Sequence, residues 1–321
     1  MAAALMLPLA ACSSAIDSSN DSSNQISVSG LVASTQNISG PLGQGEAAVI
    51  ASVQPNNDTS AQSLPFVRNN PASVPPFPLE LNQAVQQYVD GYLSQPTGLE
   101  RSFKRIKPYM AEMTALLRHH GLPSDLVYLT FAESGFSDTG AGPWQLNRDT
   151  ARRFGLLINQ WVDERRDPIK STRAAAQYLS DLHDQVGSDW RMTLVAWNNG
   201  EGGVDRYIGL SDASYNRMLM RLPRRTRSLL NRFMAVALIA RQRRASGQLK
   251  ESADDIPPYR ILPVKGGTSL RTVAAEEHTS LQTLLYLNPA LIRHCAPPGE
   301  ETYPVRVPSG AVEANLSTID F

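Results

Sequence analysis

The chain has 321 residues, and its 30 Lys plus Arg balance 30 Asp plus Glu to a formal charge of zero. That length accommodates two domains. The charge balance argues against a nucleic-acid binder that works by neutralising phosphates and offers no polybasic patch for a membrane surface.

Residues 2–11 form an apolar run ending in Leu9-Ala10-Ala11-Cys12, far too short to cross a bilayer as a helix. Small residues before the cysteine and a polar tract after it fit a signal-peptidase site. Leu-Ala-Ala-Cys resembles the lipobox of bacterial lipoproteins, which implies a lipid on Cys12, a signal region over 1–12, and, through Ser13, the outer membrane. An ordinary cleaved signal is the alternative, because no Lys or Arg precedes the run. Cys295 is then left without an internal partner and is expected to be a partly buried small apolar residue.

Residues 13–77 are rich in Ser, Asn, Gln, Gly and Pro. Such a tract cannot bury enough apolar surface to offset its ordering, so a disordered tether is expected. From residue 79 the pattern becomes helical. Val85, Tyr88, Val89 and Tyr92 share a face, as do Met113, Leu116 and Leu117 before a stop at Gly121-Leu122-Pro123. Ser124 is expected to cap the next helix, which ends near Glu133, where the helix dipole disfavours a negative charge.

Asp167-Pro168 predicts a cap and first-turn proline for a long helix burying Ile169, Ala175, Leu179, Leu182 and Val186. Ser188 is expected to cap a helix carrying Trp190, Leu194, Val195 and Trp197. Residues 224–244 predict a last amphipathic helix. No strand alternation interrupts 79–244, so a mainly α fold is expected, with an all-helical domain over 78–245. Beyond it, residues 259–264 and 303–307 alternate like strands and flank helical patterns at 270–277 and 281–287, a βααβ unit within 256–310.

The chemistry concentrates in Glu133-Ser134-Gly135-Phe136, Ala141-Gly142-Pro143-Trp144-Gln145-Leu146 and Ala196-Trp197-Asn198-Asn199-Gly200-Glu201-Gly202. An acid ending an apolar helix and facing a Gly- and Trp-containing loop holds its proton near neutral pH, as cleavage of a glycosidic bond requires. With Gly121-Leu122-Pro123-Ser124-Asp125-Leu126 and Leu222-Pro223-Arg224-Arg225-Thr226-Arg227, these segments resemble the lytic transglycosylases of the goose-lysozyme-like superfamily, in particular the membrane-bound lytic murein transglycosylase D group. The resemblance covers about residues 80–310. It implies a lysozyme-like (SLT-type) catalytic domain and a small LysM-like module, whose sugar binding or packing role stays open because its opening is only Gly267-Thr268-Ser269-Leu270.

The resemblance further implies peptidoglycan as substrate, cleaved between N-acetylmuramic acid and N-acetylglucosamine with a 1,6-anhydro product. Glu133 would be the sole catalyst, first as acid and then as base. Trp144, Gln145, Trp197 and Asn198 would contact substrate, core packing being the alternative for the two indoles. Asp138 is expected to solvate a loop, and Gly200, Gly202 and Gly203 to permit a turn. Two departures stand out: the loop from Ser137 to Gly140 is shorter than the family's, at the cost of a Ser near the acid, and Trp197 replaces a Tyr. A hydrolytic lysozyme, or a weakened wall-binding lipoprotein, are the alternatives. The five histidines show no zinc spacing, so neither a metal nor an organic cofactor is expected.

Overall fold

The computed structural model describes residues 74–207, 209, 214–249, 258–299 and 301–309. Cys12, the 1–12 signal region and most of the 13–77 tether lie outside them.

Helix α1 (Gln83–Ser94) begins where the Asn82 side chain accepts the Val85 amide, and it buries Val85 and Val89. α2 (Thr97–Ile106) and α3 (Met110–His119) follow, and α3 stops at Gly121, which adopts φ 71°. A 3-10 turn (Ser124–Tyr128) then runs into α4 (Leu129–Ser134). Ser124 does not cap this segment: Pro123 precedes the first turn, and no side chain bonds its amides. Asp125 fixes the turn instead. It is 4% exposed, takes two hydrogen bonds from the Arg241 guanidinium at 3.0 and 2.6 Å, and accepts the Phe77 amide at 3.1 Å. Phe77, expected at the end of the tether, is buried with its ring edge-on to Phe233 at 4.9 Å, so ordered packing starts before residue 78.

After α5 (Arg148–Arg153), α6 (Pro168–Gln185) opens as predicted, with Asp167 accepting the Ile169 and Lys170 amides. α7 (Trp190–Asn199) is capped by Asp189 rather than Ser188, whose φ of 66° places it in the turn that closes α6. The short α8 (Glu201–Val204) and α9 (Tyr215–Arg221) lead to α10 (Arg224–Ala245). Every residue from Phe233 to Ala240 is buried, which makes α10 the central helix, packed by α1, α4 and α7. Among the described residues between 79 and 244 no strand forms, only the isolated bridge Ile158 to Asp163 and one from Val162 to Leu291.

The C-terminal segment is β1 (Tyr259–Lys265), α11 (Leu270–Glu276), α12 (Leu281–Leu287) and β2 (Thr302–Pro308), its strands antiparallel with Tyr259 opposite Pro308. Ser269 and Ser280 cap its two helices. Its core of Leu270, Val273, Leu284, Val305 and Val307 includes Val162 from the helical part, with Leu157 and Trp161 packed against it. Three further ties fasten it to the start of α6. The Asp163 amide donates to Ala290 O at 2.9 Å, the Tyr303 hydroxyl donates to Glu164 at 3.1 Å, and the Arg306 guanidinium pairs with Asp167. The segment therefore packs on the helical part through a shared apolar core.

Candidate active site

Glu133 stands one residue from the end of α4, which closes on Gly135 at φ 65°. The Ser134 hydroxyl donates to Pro143 O at 2.9 Å and accepts the Ser137 amide at 3.0 Å, folding the short loop back onto the end of the helix. Gly142 sits at φ 73°, where an added Cβ would lie 1.8 Å from the Arg165 carbonyl oxygen, so only glycine lets the loop approach this closely. Arg165 in turn donates to Leu146 O at 3.0 Å while paired with Asp163 at 2.7 Å. Both ends of the 142–146 loop are thus fixed.

Glu133 lines a polar cleft of about 430 Å³ together with Gln145, Tyr178, Trp197, Asn198 and Arg225. No other carboxylate lines it among the described residues. The Trp197 indole N–H donates to Glu133 Oε1 at 2.7 Å, and no serine takes that place. Burial pushes the Glu133 carboxyl above the usual carboxylate range. The Trp197 hydrogen bond and the positive charges of Arg232 and Arg225 oppose the shift without cancelling it.

Trp144 does not reach the cleft. It is 0% exposed, donates to Thr172 Oγ1 at 2.9 Å, and meets the Trp197 ring edge-on at 5.9 Å. The expectation of a direct substrate contact is corrected: with its N–H satisfied and no free surface, Trp144 backs the ring that holds Glu133. Gln145 is exposed at the cleft, turned by φ 49° and tethered through Nε2 to Gly142 O at 2.6 Å.

Asn198 lines the cleft, and its Oδ1 accepts the Thr226 hydroxyl proton at 2.9 Å. Asn199 donates to Val195 O at 2.8 Å and to Thr226 at 3.2 Å. The Leu222 to Arg227 segment thus supplies the clamp on the two asparagines, in Thr226, and a cation for the cleft, in Arg225. Gly200 at φ 77° makes the turn expected of it; at Gly202 neither φ nor space demands glycine. Asp138 is exposed and lines no part of the cleft. Tyr178, Arg225 and the donor role of Trp197 toward Glu133 were not anticipated from sequence.

The described fold is mainly helical, and one carboxyl lines its cleft among the described residues. Residues 114–218 match the family described as Transglycosylase SLT domain. It is 28% identical over 183 residues to membrane-bound lytic murein transglycosylase D of Escherichia coli (strain K12), covering 54% of this chain and 40% of that protein. The same figures hold for the protein of that name from Escherichia coli O6:H1. A protein of Alteromonas sp. (strain M-1) named for tributyltin chloride resistance is 32% identical over 137 residues, 41% of this chain and 65% of that one. The chain spans less than half the length of the two transglycosylases.

Proposed function

We propose that the protein is an enzyme that cleaves murein glycan strands as a lytic transglycosylase, with Glu133 as its one catalytic group. The observation that supports this reading is the Glu133 carboxyl itself: among the described residues it is the one carboxyl lining the cleft, burial raises its affinity for a proton, and its Oε1 accepts from a donor-only indole. Oε2 is left to serve the substrate. As general acid, Glu133 protonates the oxygen between N-acetylmuramic acid and N-acetylglucosamine, and the C1–O bond breaks. The substrate's N-acetyl carbonyl stabilises the cationic carbon, so no second carboxylate is required. Glu133, now ionised, removes the proton of the muramoyl C6 hydroxyl, whose oxygen closes on C1 to give the 1,6-anhydro product. Gln145, Trp197 and Asn198 are the proposed sugar contacts.

The proposed catalytic unit is residues 78–245 together with the buried Phe77 before it, and 256–310 is the proposed LysM-like module; its shared core with the helical part supports a bracing role. Digestion of purified sacculi followed by mass spectrometry of the soluble muropeptides tests the reaction. Anhydro products are expected. Products carrying one more water would make the protein a hydrolase, and a digest without soluble products would leave only wall binding.

The two transglycosylase relatives bear names that place them at a membrane, and this chain's Leu9-Ala10-Ala11-Cys12 suggests a covalent route to one. A periplasmic enzyme held at the outer membrane by a lipid on Cys12 is the corresponding proposal. Fatty-acid labelling should tag the wild type and spare Cys12→Ala; equal label on both would refute it.

A further inference from the structure

A second cavity, of about 550 Å³, lies between α1, α2, α4 and α10 and shares no lining residue with the cleft around Glu133. The two are electrostatic neighbours, because Arg232 in the wall of this cavity acts on the Glu133 charge. Arg232 Nε is buried without a hydrogen-bond partner, and no ion pair to this guanidinium is found among the described residues. That contrasts with Arg241 on the same helix, which is fully engaged by Asp125. A guanidinium nitrogen buried without an acceptor is costly, and the planar fork of the group suits a carboxylate.

Tyr92 and Gln95 offer neutral polar groups beside apolar Leu99 and Phe131, while the Tyr88 hydroxyl shares a hydrogen bond with Ser228 Oγ at 3.0 Å. Gly91 stands inside α1, where glycine is unfavourable relative to alanine, yet nothing lies within 4 Å of where its Cβ would be. No packing constraint demands glycine there. Its effect is to keep the wall of the cavity open.

We propose that this cavity binds the carboxylate-bearing stem peptide of a murein strand, with Arg232 as the anion anchor that makes the enzyme prefer peptide-substituted glycan. The assignment rests on the murein reading above. Within such a strand the sugars are neutral and the peptides carry the anions, so an unpaired guanidinium beside the scissile-bond acid is matched by the peptide rather than by another sugar ring.

Calorimetric binding to the full chain carrying Glu133→Gln tests this without turnover, using a disaccharide tetrapeptide muropeptide and the same disaccharide whose muramic lactyl group ends in a primary amide instead of the peptide, so that it carries no anion. The peptide is expected to tighten binding by about tenfold or more, the scale of one charge-assisted hydrogen-bonded pair. Adding Arg232→Gln should reduce that advantage to within about twofold, and adding Gly91→Leu, which fills the cavity and favours the helix, should do the same with Arg232 intact. Equal binding of the two ligands in the parent would overturn the proposal, as would an advantage that survives either added substitution in a folded protein. A wild type that shows the peptide advantage yet solubilises no murein would refute the proposed reaction and leave this site standing.

Discussion

Glu133→Gln is expected to lower release of soluble muropeptides by at least about a hundredfold, the usual scale of acid and base catalysis, while making the protein more stable at neutral pH. The amide keeps the volume of the carboxyl and can still accept the Trp197 N–H, but it can neither give nor take the reaction's proton. The stability gain follows from burial, which raises the Glu133 carboxyl above the ordinary carboxylate range despite Trp197, Arg232 and Arg225. Between the ordinary value and the raised one, the folded state binds more protons than the unfolded state, so stability falls as pH rises through that window and the cost is fully present above it. Glutamine has no charge to bury. The variant's thermal midpoint should therefore exceed that of wild type at pH 7, and the two should converge below about pH 4, where the acid is neutral in both states. Asp138→Asn should keep most activity, since Asp138 lies off the cleft. Near wild-type release of anhydro products by Glu133→Gln would sink the single-acid mechanism, and a lower midpoint at pH 7 would sink the account of its burial.

Much of the helical layout was legible because it is written in local spacing. Val85 and Val89, Met113 and Leu117, and Leu229, Leu230, Phe233 and Leu238 lie buried as helical spacing predicts, and Asp167-Pro168 opens α6. Caps were less legible where two good candidates adjoin. Ser188 and Asp189 can both accept end amides, and the choice turns on Ser188 being needed at positive φ, its amide closing α6 on His183 O at 2.9 Å. Ser124 lost its expected role to the pair of Asp125 and Arg241, residues far apart in sequence that only the tertiary fold joins.

The same limit governs the site. The exchange of Tyr for Trp at 197 was visible, but that its indole donates to Glu133 depends on packing α7 beside α4. Trp144 sits in a loop motif whose resemblance suggested a cleft wall, and Thr172 on α6 draws its N–H into the core instead. Arg232 gave no local signal at all. It is one of seven arginines on α10, and only the fold shows that its Nε is buried without a hydrogen-bond partner in the wall of a cavity.

Arg306→Met is expected to destabilise the protein by about 3–5 kcal/mol at pH 7, the range seen when one partner of a buried ion pair is removed. Arg306 and Asp167 are 13% and 3% exposed at their side chains, and Asp167 also accepts the two amides that begin α6. In the wild type, burial pushes the Asp167 carboxyl up, but the Arg306 charge and hydrogen bonds, with those from Lys170, outweigh it and hold the carboxyl below the ordinary aspartate value. The stability that Asp167 contributes is therefore complete above that ordinary value, and is lost as pH falls through the depressed one. Without Arg306, burial alone governs Asp167, its affinity for a proton rises, and the penalty for the lone charge disappears when it protonates. The gap between variant and wild type should thus be widest near neutral pH and shrink toward pH 4, as read by urea unfolding at both values. Arg306→Met combined with Asp167→Asn should recover part of the loss, since the amide leaves no buried charge. Activity should fall as well, because Tyr286 of α12 meets Tyr109 at 6.3 Å, and Tyr109 meets Phe136, three residues beyond Glu133, at 6.1 Å. A pH-independent gap would show that Arg306 acts through packing of its aliphatic stem, and a double variant no more stable than the single one would remove the uncompensated charge as the cause.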